Sequence, residues 1–263
     1  MHRRTLIGLL VAVGLPVAGV ALPRAPAGAA PAPTLTVFGA SDLAFAFEAI
    51  VPRFERATGA RVTLVLGSTG NLAKQIENGA PADAFFAANV GFVDALAASS
   101  AVRPESRTLY ARGRIVLATT RRSGLRLSSL TDLRRPEVKR IAIANPEHAP
   151  YGQAAREALE TAGLWDEVRP RLVYGENIRH TLQYLQSGAV EAAIVALSIA
   201  DVPGIDSVPI DASLHRPIDQ AAAVTTRSRQ PDLALAFIRF VTGPEGRPIM
   251  ERYGFALPPS GGS

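Results

Sequence analysis

Apolar positions follow two alternating rhythms through most of this chain. Short apolar, β-rich runs at residues 34–38, 61–66, 84–87, 141–144, 172–174 and 192–196 have the length and character of buried strands. Between them apolar residues return at every third or fourth position. Leu43, Phe47, Ile50, Val51 and Phe54 show this spacing, which lines one face of a helix. It predicts helices over 43–54, 71–78, 90–98, 152–162, 177–186, 232–241 and 246–253, and a short one from Leu130. Further short strands are expected at 107–110, 114–119, near Val208 and at 221–224. Asp42 stands where a helix takes its N-cap, and Gly79 and Gly163 stand where helices stop. Strands alternating with helices predict an α/β protein with largely parallel sheets, and the restart of the alternation after Leu130 indicates a second lobe.

The first thirty residues break the rhythm. Arg3-Arg4 precede an uncharged apolar run from Leu6 to Leu22, and Ala27-Gly28-Ala29 is a small-x-small cleavage pattern. Residues 1–29 read as a cleaved export signal and 30–33 as a linker, which predicts a periplasmic protein. Gly8, Gly14, Pro16 and Gly19 interrupt the run and argue against a spanning helix. The paired arginines before Thr5-Leu6-Ile7 also resemble a twin-arginine signal. The whole chain carries a formal charge of +5, and cleavage would remove Arg3, Arg4 and Arg24, so the exported part is close to neutral. Only Lys74 and Lys139 are lysines, and no basic block or basic aromatic stripe occurs, so no nucleic-acid partner is expected.

With no cysteine, disulfides, thiolate nucleophiles and thiolate metal sites are ruled out. His2, His148, His180 and His215 are far apart and fit no metal-ligand spacing, so they read as solvated or hydrogen-bonded, with neither cofactor nor directly coordinated metal expected. Catalytic templates are absent too. Gly67-Ser68-Thr69-Gly70 is neither a nucleophile elbow nor a phosphate-binding Walker loop, and a Ser68–Lys74 nucleophile and base pair lacks support. The chain is therefore expected not to be an enzyme, a secreted α/β hydrolase being the alternative. A ligand-sensing half of a transcription regulator is disfavoured by the export signal and by the lack of a helix-turn-helix segment.

Four strand-to-helix loops share a small, hydroxyl- or glycine-bearing composition: Ala40-Ser41-Asp42, Gly67-Ser68-Thr69-Gly70, Pro150-Tyr151-Gly152 and Glu176-Asn177-Ile178. Such a loop aims unpaired N–H groups and the positive end of a helix dipole at whatever lies before it, and so makes an anion site without lysine or arginine. For any one loop, ordinary helix capping explains the composition equally well. Two loops fall in each expected lobe.

Read with their flanks, these loops resemble the periplasmic molybdate-binding protein family, the substrate receptors of molybdate ABC transporters. The resemblance runs from Leu35 to Phe255. It is carried by Gly67-Ser68-Thr69-Gly70-Asn71-Leu72 with the following Gln75 to Asp83, by Ala144-Asn145-Pro146-Glu147-His148-Ala149-Pro150-Tyr151-Gly152, by Tyr174-Gly175-Glu176-Asn177-Ile178 and by Arg252-Tyr253-Gly254-Phe255. It implies a type 2 periplasmic binding protein fold: two α/β lobes, crossed twice by the chain, with a ligand cleft between them. Lobe 1 would be 34–112 plus 225–257, lobe 2 would be 113–224, and 258–263 a flexible tail.

The implied ligand is molybdate or tungstate, and the implied partner is the membrane permease of an ABC importer, served by a monomer. Carried over, the oxyanion contacts fall on Ser41, Asp42, Ser68, Tyr151 and, through its backbone N–H, Ile178. The Tyr151 arrangement resembles one branch of the family; the other uses a tyrosine where this chain has Ala196. One departure stands out, because the family usually has Ser or Asn where this chain has Asp42, and an ionised carboxylate only accepts hydrogen bonds. The preferred reading is that Asp42 turns away to cap its helix. In the other reading it faces the ligand and accepts a proton from it, which would suit phosphate or a phosphonate; sulfate is a further alternative.

Overall fold

The computed structural model describes residues 32–258, so the expected signal at 1–29 and all of the expected tail at 258–263 except Pro258 lie outside the described residues. The strands are β1 (Thr34–Ala40), β2 (Arg61–Gly67), β3 (Ala84–Ala87), β4 (Thr108–Gly113), β5 (Ile115–Thr120), β6 (Ile141–Ala144), β7 (Leu172–Gly175), β8 (Ala192–Ala196), β9 (Ile205–Pro209) and β10 (Ile218–Val224). The helices are α1 (Ala44–Thr58), α2 (Thr69–Glu77), α3 (Val90–Ala98), α4 (Pro150–Thr161), α5 (Trp165–Val168), α6 (Ile178–Ser187), α7 (Leu197–Ala200), α8 (Pro231–Thr242) and α9 (Arg247–Arg252). Gly79 and Gly163, expected as helix stops, take φ of +89° and +66°, the left-handed conformation that ends a helix without steric cost.

The strands form two five-stranded sheets, ordered β2-β1-β3-β10-β4 and β7-β6-β8-β5-β9. In the first, β1 runs parallel to β2 and β3, while β10 is antiparallel to β3 and β4. In the second, β6 runs parallel to β7 and β8, while β5 is antiparallel to β8 and β9. Parallel neighbours end at the same sheet edge, so the loops leaving β1 and β2 open side by side, as do those leaving β6 and β7.

The chain passes from the first sheet to the second at Arg114, between β4 and β5, and returns between β9 and β10. The sequence reading puts 221–224 on the second-lobe side of its boundary, yet β10 pairs with β3 and β4, Ala221 lying opposite Ala87. The reason is physical. A strand apolar on both faces satisfies either sheet, and only its hydrogen-bonding partners decide which.

Aromatic rings hold the first sheet to its helices. Phe47 and Phe54 of α1, Phe237 of α8, Phe86 of β3 and Tyr110 of β4 meet edge-on, with centroids 5.0–5.6 Å apart. Each such pair adds ~0.5–1.5 kcal/mol beyond the burial of its area. The second sheet instead buries small aliphatic residues such as Ala142, Ile143, Ala193 and Ile194 beneath α4 and α6. Among the described residues no helix is long and apolar enough to cross a membrane.

Candidate functional site

The four loops converge. Ser41 and Asp42 follow β1, Ser68 follows β2, Tyr151 lies in the first turn of α4 after β6, and Ile178 opens α6 after β7. All five line one small cavity of about 10 Å³ between the two sheets. Each is almost fully buried, Asp42 completely. Among the described residues that line the cavity there is no Lys or Arg, so any attraction for an anion comes from backbone N–H groups, hydroxyls and helix dipoles.

Local capping chemistry leaves donors pointing at this space. Asn177 caps α6 by accepting from the N–H groups of Arg179 and His180, both at 3.0 Å, which leaves the Ile178 N–H outside the cap. Ser68 occupies the N-cap position of α2 but makes no side-chain cap. Its Oγ instead lies 2.9 Å from Nδ1 of half-buried His148 in the loop before α4. The same two loops meet through the backbone, where Gly70 N–H donates to the His148 carbonyl at 2.9 Å. A Cβ at Gly70 would sit 2.8 Å from that oxygen, so only glycine permits the approach.

Asp42 departs from the preferred sequence reading. It does not cap its helix: it sits inside a 3-10 turn (Ser41–Leu43), and α1 begins after Leu43 without a side-chain cap. The carboxylate points inward, where Oδ2 accepts from the Tyr151 hydroxyl at 2.8 Å and from Gln220 Nε2 at 2.8 Å. Gln220 Nε2 also lies 2.9 Å from the Tyr151 oxygen, and the Ser198 hydroxyl donates to the Asp42 carbonyl at 2.8 Å. Tertiary partners outcompeted the local cap because two donors met at Oδ2 in a dry site offer the carboxylate more than one exposed N–H. Close packing enforces the arrangement, since a Cβ at Gly113 would run into the Tyr151 hydroxyl.

Burial pushes the Asp42 carboxyl up to about 6, against the opposing pull of its hydrogen bonds from Gln220 and Tyr151. The Tyr151 hydroxyl is pushed well above its ordinary range, first by burial and then by the negative charge of Asp42. Two buried acceptors here have no hydrogen-bond partner, Asp42 Oδ1 and Gln220 Oε1. An acceptor left unpaired in a dry site is costly, which marks this corner as one organised for something other than stability.

Sequence reasoning missed Gln220, Ser198 and the placement of His148. Gln220 is the one polar side chain buried within β10, a signal hidden because the expected strand started one residue later. The Ser68–His148 contact has the spacing of a nucleophile and its base. Among the described residues, however, no carboxylate hydrogen-bonds the other ring nitrogen of His148, and no group of three metal-ligating His, Asp or Glu side chains occurs.

Comparison with known proteins places this architecture. Residues 35–256 match the family model of bacterial extracellular solute-binding proteins. The molybdate-binding protein ModA of Azotobacter vinelandii is 31% identical over 233 residues, covering 87% of this chain and 92% of that protein. Its Escherichia coli counterpart is 31% identical over 252 residues, covering 91% of this chain and 96% of that protein. A solved structure of the Azotobacter vinelandii periplasmic molybdate-binding protein superimposes with a TM-score of 0.80, covering 85% of this chain and 99% of that one. The two mixed α/β sheets are those of a periplasmic binding protein, and the chain belongs to the bacterial extracellular solute-binding protein family as a homologue of the molybdate-binding proteins.

Proposed function

We propose that this chain is an exported, non-enzymatic receptor that clamps molybdate, and also tungstate, between its two sheets and delivers it to the membrane permease of an ABC importer. It works in the periplasm as a monomer, after removal of the N-terminal signal, and molybdate is its cargo rather than a cofactor. The likeness to molybdate-binding proteins supports the ligand class. The observation that carries the reading is the convergence of Ser41, Asp42, Ser68, Tyr151 and Ile178 on one cavity with no cationic lining residue among the described residues.

A dianion leaving water must have its hydration replaced, and fixed N–H and O–H dipoles do this at ~1.5–3 kcal/mol for each charge-assisted bond. The Ile178 N–H and the hydroxyls of Ser41 and Ser68 would supply them. Tyr151 has its hydroxyl on Asp42, so it serves the site chiefly by holding that carboxyl. A smaller tetrahedral ion cannot reach every donor at hydrogen-bond distance, which separates molybdate and tungstate from sulfate. Closure of the two halves on the anion then gives the permease a shape to recognise.

Calorimetric titration with molybdate, tungstate, sulfate and phosphate at neutral pH tests this. Saturable 1:1 binding of molybdate and tungstate, with sulfate and phosphate far weaker, is expected. Tighter binding of phosphate or a phosphonate, or no binding of molybdate, would overturn it.

A further inference from the structure

We propose that oxyanion capture protonates Asp42: for each anion bound, one proton is taken from solvent onto Asp42 Oδ1, which changes that oxygen from an acceptor into a donor. The inference rests on the receptor reading above and adds to it a proton stoichiometry and the residue responsible. The balance is simple, since an O–H bond forms on the carboxylate, the proton comes from bulk water, and no bond of the anion breaks.

Burial, not hydrogen bonding, favours the neutral acid at Asp42, and the hydrogen bonds leave one oxygen free to carry the proton. Oδ2 accepts twice, from Tyr151 and Gln220, as a carboxylic carbonyl oxygen does. Oδ1 is buried without any partner, and a proton would give it a donor's role. Asp42 also lines the cavity, where an ionised carboxylate beside a dianion would place like charges together in a dry space.

Among the described residues, no element packed against Asp42 offers a compensating cation. Gln220 faces Asp42 from β10, Tyr151 from α4, Ser198 from α7, and Tyr110 of β4 feels its charge. None of these is positive at neutral pH. His148 reaches Ser68 rather than Asp42. Burial holds the carboxyl near 6 before any anion is present, so an arriving negative charge has only a short way to push it to carry a proton at neutral pH.

Titration of the protein with sodium molybdate near pH 7, in two buffers of different ionisation enthalpy, counts the proton. The apparent heats per molybdate should differ by close to the difference between the two buffers' ionisation enthalpies, and the Kd should weaken with rising pH, approaching tenfold per unit. Asp42→Asn should bind with buffer-independent heat and a flat Kd across the same range, because its amide is a permanent donor. Molybdate bound with buffer-independent heat by the unaltered protein would overturn the proposal, as would uptake that persists in Asp42→Asn. If that variant does not fold, the unaltered protein's proton count decides alone. No molybdate binding at all would instead be failure of the receptor reading itself.

Discussion

The hydroxyl of Tyr151 donates to Asp42 Oδ2 at 2.8 Å, joining residues 109 positions apart and tying the first turn of α4, on the second sheet, to the turn after β1, on the first. Gln220, from β10, closes the trio. A buried polar contact of this kind acts as a latch whose strength depends on the charge of its acceptor.

Removing the donor with Tyr151→Phe leaves Oδ2 with Gln220 alone. Urea unfolding near pH 8, where Asp42 is charged, should show a loss of ~1–3 kcal/mol. The loss should shrink near pH 5, where the neutral acid needs its donors less. The charged form is the one that loses a bond, so the Asp42 carboxyl should titrate above its present value of about 6, which carboxyl carbon NMR would read. An equal loss at both pH values would contradict a charge-dependent latch.

Asp42 also imposes a pH dependence on folding whose sign is opposite to that of most carboxylates. Its folded pKa of about 6 lies above the ordinary 3.8, so the native state binds more protons than the unfolded one in that window. Its contribution is therefore most favourable below pH 4, falls as pH rises from about 4 through 6, and is flat above. At ~1.4 kcal/mol per pKa unit the total is about 3 kcal/mol at most. Asp42→Asn should abolish this slope and raise the melting temperature near pH 8, with the gain vanishing toward pH 4. A variant less stable than the parent at every pH would show that the charge is not the cost.

The rhythm of apolar positions places most strands and helices around the site, because burial periodicity is a local property of the chain, but not α7, whose four residues are too few to show a period. The same rhythm places the loops that carry Ser41, Ser68, Tyr151 and Ile178 at strand-to-helix junctions, while the choice of those residues within the loops comes from the family resemblance. Asp42 was misread because capping preference is local, whereas its partners lie 109 and 178 residues away. Gln220 escaped notice as one amide beside an alanine run. The sheet that β10 joins could not be inferred from residues equally content in either.

Ser68→Ala removes a hydroxyl at the cavity without touching the fold. The Kd for molybdate should rise by about 10- to 100-fold, the worth of one charge-assisted bond, while the circular dichroism spectrum and unfolding midpoint stay near those of the parent. An unchanged Kd would take Ser68 out of the site and leave it as the partner of His148 alone.

Phe237→Ala tests the first core independently of any ligand. Its ring meets Phe47, Phe54 and Phe86 at centroid distances of 5.5, 5.0 and 5.6 Å. Truncation leaves a cavity in a fully buried cluster, for which ~3–5 kcal/mol is the usual cost in chemical denaturation. A loss below ~1 kcal/mol would mean that α8 can collapse into the gap.

Gly70→Ala separates clamping from stability. Gly70 lies within α2, and its φ is not in the left-handed region, so alanine suits its backbone and should favour the helix by up to ~1 kcal/mol. The added methyl, however, would lie 2.8 Å from the His148 carbonyl oxygen and 3.1 Å from its Cα, and these are backbone atoms that no rotamer change can move. The loops carrying Ser68 and Tyr151 must then draw apart by several tenths of an ångström, enough to lengthen hydrogen bonds to an anion held between them. The helix gain and the strained backbone contact oppose each other, so the expected outcome is a small change in the unfolding midpoint together with a Kd for molybdate weakened tenfold or more. Were the Kd to stay the same, the contact between Gly70 and His148 would be a packing detail, and the two halves would close on their ligand without it.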